Sequence, residues 1–309
     1  MIGAKFRVFD GGVAMRRLLV AAVMIGAVSG ADAADMPDFL RGSIPAAPVT
    51  RNWDGWYVGG QVGYTSADMD FSHATKTLTN FMLRNSVLQG PVSQWSALSK
   101  NHAQATGFGA FVGRNYQWDD LVFGVEANYN YMNSLASSSI NSMSLLIVNP
   151  TGENPPAGHT RTYDTTLSAK AALQVKDVVT FRGRAGWAAG DFLPYVFGGL
   201  AVGRVDASRS ATVSYNKFDT YNVTTINIVG GIPVSTTRSQ TDFLGFSTQS
   251  QTERRANSFV AGWTGGLGLE YLLWGNVFMR AEWEYVRFLS VKDISFSTNS
   301  VRAGLGYKF

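Results

Sequence analysis

The chain contains no cysteine in 309 residues, which excludes disulfides and thiol chemistry alike. Histidine is nearly as scarce. His73, His102 and His159 are the only three, and their spacing matches no metal motif such as H-E-x-x-H. A G-x-S-x-G nucleophile elbow is missing too. No Lys/Arg stripe runs along any face, so the pI of 9.2 is no argument for nucleic acid as a partner. Beyond residue 33 no apolar run is long enough for a transmembrane helix, which excludes a helical membrane protein.

One compact apolar run is present, residues 18–28, preceded by Arg16 and Arg17 and followed by Ala31, Asp32 and Ala33. A charged start, a short apolar stretch and a small-residue cleavage site make residues 1–33 a secretory signal peptide, with Met15 the natural start and cleavage near Ala33. Cleavage lowers the net charge from the +4 of the whole chain by two, because four basic and two acidic residues leave. Residues 34–52, with Pro37, Pro45 and Pro48, read as an extended periplasmic tether.

The rest alternates with period two, the signature of strands. In the last fifty residues Phe259, Ala261, Trp263, Leu267, Leu269, Met279, Trp283, Val301, Leu305, Tyr307 and Phe309 fall on one face. Glu270, Arg280, Glu282, Glu284, Arg302 and Lys308 fall on the other, together with Gly262, Gly266 and Gly268. A solvent-exposed face gains nothing from repeated glycine, whereas a narrow lumen needs empty positions beside long side chains. Each segment is also ~9–11 residues long, enough for a tilted strand to cross a bilayer. The apolar face is therefore expected to meet lipid. A charge at the midplane of that face would cost roughly 2–4 kcal/mol, and none occurs in these segments before Arg287.

Eight such strands are expected, in an antiparallel up-and-down transmembrane barrel over residues 53–309. The long connections are expected at residues 66–104, 132–164 and 206–255, with short turns at Asp119-Asp120, Gly190-Asp191 and Gly275-Asn276. Two strands resist assignment by face: the second, where Arg114 shares a parity with Phe108 and Val112, and the fifth, apolar on both parities. For Arg114 a bulge or a snorkelling side chain is expected. Trp56, Tyr116, Trp118, Trp187, Tyr195, Tyr271, Trp274, Tyr307 and Phe309 gather at the short-turn ends as an interfacial girdle.

Trp53 to Gly60, Phe123 to Glu126, Arg182 to Trp187, Gly198 to Ala201 and Val301 to Phe309 resemble the small "porin family" proteins of alphaproteobacteria, the outer-membrane immunogenic proteins. These are similar in fold to the OmpA transmembrane domain and the opacity proteins. The resemblance implies a Gram-negative outer membrane and a cell-envelope role as a surface antigen. Implied partners are membrane lipid and lipopolysaccharide, surface or host ligands at the loops, and the outer-membrane assembly machinery, with Tyr307 and Phe309 as its recognition signal.

On the inner face lie Glu126, Glu270, Glu282 and Glu284 with Arg182, Arg184, Arg280 and Arg302, four of each sign. Eight strands leave a lumen that side chains fill, and unpaired charge there is strongly unfavourable. An Arg/Glu network that blocks the lumen is expected, and catalysis is not. The alternatives are a small-solute porin and a haemin-binding surface protein, with His73, His102 and His159 as candidate haem ligands. Asp70 and His73 are the candidates for a protease or acyltransferase site at the mouth, but nothing else in the sequence supports one. Gly107, Gly109 and Gly113 read as strand glycines rather than a dinucleotide fingerprint, since no helix follows.

Overall fold

A computed structural model describes residues 51–309. The signal peptide, Met15 and the greater part of the 34–52 tether lie outside the described residues. The described chain runs in the order β1 (Gly55–Asp70), α1 (Lys76–Met82), α2 (Gln89–Ser93), β2 (Lys100–Trp118), β3 (Leu121–Val148), β4 (His159–Trp187), β5 (Phe192–Val229), β6 (Ile232–Trp274), β7 (Val277–Phe288) and β8 (Ser295–Lys308). All eight strands pair antiparallel with their sequence neighbours, and β8 pairs back onto β1 to close the barrel. Among the described residues no helix is long and apolar enough to cross a membrane.

Polarity in the closed part is the reverse of a water-soluble core. Trp263 is 55% exposed and Leu305 59% exposed, whereas Glu282 is 3% and Arg302 5% exposed. Apolar side chains thus form an outward belt that only lipid would satisfy. Arg114 faces outward with no break in the β1–β2 or β2–β3 register, so no bulge is present there. Its guanidinium lies 5.6 Å from the Trp56 ring and 4.9 Å from the Tyr116 ring, a snorkelling cation held over two interfacial aromatics. On β5 the faces are now distinct: Leu193, Tyr195 and Phe197 are buried, whereas Val196, Leu200 and Val202 point out.

Two expectations are corrected. Tyr195 does not belong to the outer girdle, because it projects into the lumen, where its hydroxyl bonds Glu282 at 2.5 Å. The three long connections are also shorter than expected, the second and third being largely strand. The first contracts to residues 71–99, which hold α1 and α2; the second to residues 149–158; and the third to the Gly230-Gly231 turn, so that β5 and β6 reach 38 and 43 residues. Pairing continues outward to Val148↔Thr162, His159↔Tyr221 and Val229↔Ile232. Above the lipid belt the four strands β3 to β6 therefore form an open antiparallel sheet.

The reason is a change of solvent along each strand. On β5 the outward parity that carries Leu200 and Val202 in the belt carries Asp206, Ser208, Ser210 and Thr212 above it, while Ala207, Ala211 and Val213 continue the buried face of Leu193, Tyr195 and Phe197. Water replaces lipid on the outside, so the apolar side turns inward. The alternation of β3 to β6 persists above the belt while its polarity flips, so outward apolar residues mark only the membrane part of these strands.

Candidate functional site

The lumen is filled in stacked layers, beginning at the short-turn end with a floor of aromatic residues. Trp53, Tyr57, Phe111, Leu193, Tyr195, Phe197 and Phe278 are buried together, and the rings of Tyr57, Phe111 and Phe278 lie 6.0–6.2 Å apart. Trp53 is tied to the turns beneath by its backbone N–H, which donates to Gln117 at 2.5 Å, and by its indole, which donates to the Gly190 carbonyl at 3.4 Å. Glycines make room for these rings. A side chain at Gly268 would meet the Tyr195 hydroxyl at 2.5 Å, and one at Gly266 would meet the Phe197 ring at 2.5 Å. The space that glycine leaves beside the charges is thus taken largely by aromatics.

Above the floor all eight expected lumen charges come together. Glu126, on β3, accepts from Arg182 at 2.5 Å, Arg280 at 2.7 Å, Arg184 at 3.3 Å and the Tyr57 hydroxyl at 2.7 Å, and also from Asn128. Glu270 receives two parallel bonds of 2.8 Å from Arg184 and one of 2.6 Å from Arg280. Glu282 pairs with Arg182, and Glu284 with Arg302, while Thr264 donates to Glu284 at 2.8 Å. The guanidinium planes also cover aromatic faces, Arg280 over Phe111 at 3.8 Å, Arg182 over Phe197 at 3.9 Å and Arg184 over Tyr195 at 4.0 Å. A buried charge costs several kcal/mol to desolvate, and only dense pairing of this kind offsets it. The aromatic partners share the inner parity with the charges but were hidden by the general apolarity of β5.

A neutral polar layer follows. The Gln61 amide donates to Asn128 at 2.7 Å and Asn130 at 2.6 Å, and the hydroxyls of Thr65 and Ser300 lie 2.9 Å apart. Highest comes an apolar core that the first connection folds down to complete: Phe71, Leu78, Leu83, Leu88 and Val92 pack with Leu167, Leu173, Val205, Val213, Phe288 and Phe296. Arg209 of β5 fastens this cap. It donates to the Ala74 carbonyl at 2.8 Å, to Asp293 at 2.8 Å and to Glu253 at 2.9 Å. Lys292 joins Glu253 at 2.8 Å, and the Thr77 hydroxyl donates to Asp293 at 2.5 Å. The Glu253 carboxyl is held below its ordinary value, first by the Lys292 hydrogen bond. Burial pushes the Asp293 carboxyl up, but hydrogen bonds from Thr77 and Arg209 outweigh it, so its pKa is also low. Arg209 was not singled out in the sequence, although its place between Ala207 and Ala211 on an apolar parity marks it as a buried charge.

The histidines are dispersed among the outer elements. His73 is exposed in the turn before α1, His102 pairs with Asp68 on the outer surface, and His159 bonds Asp219 at 2.8 Å while stacking on Tyr221. Asp70 accepts from the Ser72 backbone and hydroxyl at 3.0 and 2.6 Å and pairs with Lys100 at 3.2 Å, so it serves the turn after β1. Among the described residues no group of three or more His, Cys, Asp or Glu is placed to hold a metal ion. At the other end Phe309 points outward, its ring 5.2 Å from Tyr307, and its N–H donates to the Trp56 carbonyl at 2.8 Å.

A family model described as outer membrane protein beta-barrel domain matches residues 20–309. The 25 kDa outer-membrane immunogenic protein of Brucella ovis is 25% identical over 203 residues, which cover 65% of this chain and 62% of that protein. The chain therefore spans less than two thirds of that relative's length. Among solved structures, Neisserial surface protein A aligns at 15% identity over 82% of this chain and 97% of that one, with a TM-score of 0.31. Ail, the attachment invasion locus protein of Yersinia pestis, aligns at 9% identity over 83% of this chain and 99% of its own, with a TM-score of 0.27.

Proposed function

We propose, from the premise that this chain belongs to the outer membrane protein β-barrel domain family and resides in the outer membrane, that it is a non-conducting, non-enzymatic barrel. In this reading it strengthens the envelope and displays the β3–β6 sheet at the cell surface. One observation carries the reading: the lumen is occupied at four successive levels, by aromatic rings, by the Arg/Glu network, by Gln61 with its asparagines, and by the apolar cap under Arg209. A solute path would have to break every level. Each carboxylate of the network already has an arginine partner, which leaves no general base for catalysis. The outward belt suits acyl chains of phospholipid and lipopolysaccharide. Tyr307 and Phe309, outward at the end of β8, suit recognition by the assembly machinery. The immunogenic relative fits a surface-antigen role for the exposed sheet.

The test is single-channel recording on purified, refolded protein in planar bilayers. Baseline current with only rare, small events is expected. Stable large conductances in the unaltered chain would overturn the closed lumen in favour of a small-solute porin.

A further inference from the structure

Between Asn222 and Ser239 the structure becomes a lone two-stranded ribbon. β4 begins at His159, whose partner is Tyr221, and β7 pairs with β6 no further out than Gly262. The ribbon ends in Gly230-Gly231, both with positive φ (61° and 84°), a tight two-residue hairpin turn. At roughly 3.4 Å per residue its tip stands some 25–30 Å beyond Tyr221.

Its composition runs against its exposure. Every residue from Asn222 to Thr241 is exposed, yet Ile228 at 76%, Val229 at 64% and Ile232 at 67% crowd the tip. The register puts Ile226, Ile228 and Pro233 on one face and Val229, Ile232 and Val234 on the other. The only charge from Asn222 to Ser239 is Arg238, and Asp242 balances it just beyond. Soluble ribbons normally blunt such edges with charge, and an exposed apolar patch adds nothing to the stability of the barrel.

We infer that this tip inserts into the interfacial zone of a phospholipid leaflet on an apposed membrane. A protein groove would cover one face of the ribbon, whereas both faces here are apolar, and a bilayer interface takes both at once. The near-zero local charge fits a zwitterionic surface rather than an anionic one, which would favour clustered Lys and Arg. Depth is limited by the backbone, because the unpaired N–H and C=O groups on the ribbon's edges cannot enter hydrocarbon. Only the turn and the pairs next to it go below the headgroups, with Thr224, Thr225, Thr236 and Thr237 left at headgroup level as hydrogen-bonding shoulders. The inference rests on the outward orientation of the β3–β6 sheet given above.

The chain's lack of cysteine makes the test clean. Ser235→Cys is labelled with an environment-sensitive dye in the full mature chain, reconstituted in nanodiscs, and phosphatidylcholine vesicles are added. The dye emission is expected to shift to the blue and to be quenched by brominated lipid. Adding Ile228→Ser, Val229→Ser and Ile232→Ser together should lower vesicle capture by roughly tenfold or more, since interfacial binding scales with buried apolar area. These positions are exposed, so the heat-modifiable mobility of the folded barrel stays unchanged. Unchanged emission, or capture that survives the triple substitution, overturns the inference. So do a blue shift that depends on nanodisc concentration alone, which marks a second copy as the occupant, and capture restricted to anionic or protein-bearing vesicles. Labelling of Ser235→Cys on intact cells by an impermeant maleimide reads orientation separately. Labelling only after lysis would sink the surface assignment itself.

Discussion

Arg280 donates to Glu126 at 2.7 Å across the lumen, joining β7 to β3 through residues 154 apart in sequence. Neither side chain reaches water, and each has further partners, so the pair ties opposite walls of the barrel together at its middle. The same two residues link the ionic layer to the floor beneath, through the Tyr57 hydroxyl on Glu126 and the Phe111 face under Arg280.

Removing the shared acceptor leaves uncompensated positive charge in a closed space. Glu126→Gln is expected to cost ~3–5 kcal/mol, the range for breaking a buried ion pair. It would read as a lower urea midpoint in the folded-to-unfolded mobility shift on gels. The double variant Glu126→Gln, Arg182→Gln should recover part of that loss. An unchanged midpoint in the single variant would show that the network does not bear on stability.

Filling an empty lumen position should act on the layer above. Gly268→Leu puts side-chain atoms where the Tyr195 ring lies, so Tyr195 must leave its bond to Glu282. An overpacking cost of about 1–3 kcal/mol is expected, together with a change in the near-ultraviolet signal of the aromatic floor. Gly60→Leu, where an added carbon meets only one atom, at 3.9 Å, should leave both measurements near wild type.

The cap should loosen when its fastener is cut or neutralised. Arg209→Ala removes charged hydrogen bonds to Glu253 and Asp293, a loss of about 1.5–3 kcal/mol confined to the outer end. Limited proteolysis within residues 71–99 should quicken while the barrel stays intact. Both carboxylates have folded pKa values below their unfolded ones, so their stabilising effect is full above the unfolded values and is lost as pH falls through the folded ones. Cleavage by an acid-tolerant protease is therefore expected to be flat from neutral pH to ~5 and to rise below ~4. In the Arg209→Ala variant that rise should be smaller but persist, because Lys292 still bonds Glu253 and Thr77 still bonds Asp293.

Phe309 makes its principal contacts at the surface, so its replacement tests biogenesis apart from stability. Phe309→Ala should lower the amount of protein in the outer membrane while the purified, refolded barrel unfolds at the wild-type midpoint. Equal amounts of both proteins in the membrane would remove Phe309 as an assembly signal.

The barrel was legible because lipid outside and charge inside give opposite chemistry to alternate residues, as with Leu305 against Arg302. The eight charges of the lumen could be named for the same reason. What they touch could not be. Tyr195 looked like one more interfacial aromatic until β5 was placed, since Leu193, Val196 and Leu200 are apolar on both parities. The outer strands did carry a signal: Val205, Ala207, Ala211 and Val213 alternate with Asp206, Ser208, Ser210 and Thr212. Its sense is inverted relative to the membrane belt, so the rule of outward apolar residues that marks the belt does not mark it.

Local pattern was enough for strand count, closure and sidedness, since each depends only on which solvent meets every second residue. Partner choice inside the lumen, the descent of residues 71–99 onto the mouth and the clasp at Arg209 needed the assembled barrel. They join residues far apart in the chain, and the energy of a buried charge is decided by what closure brings within hydrogen-bond reach.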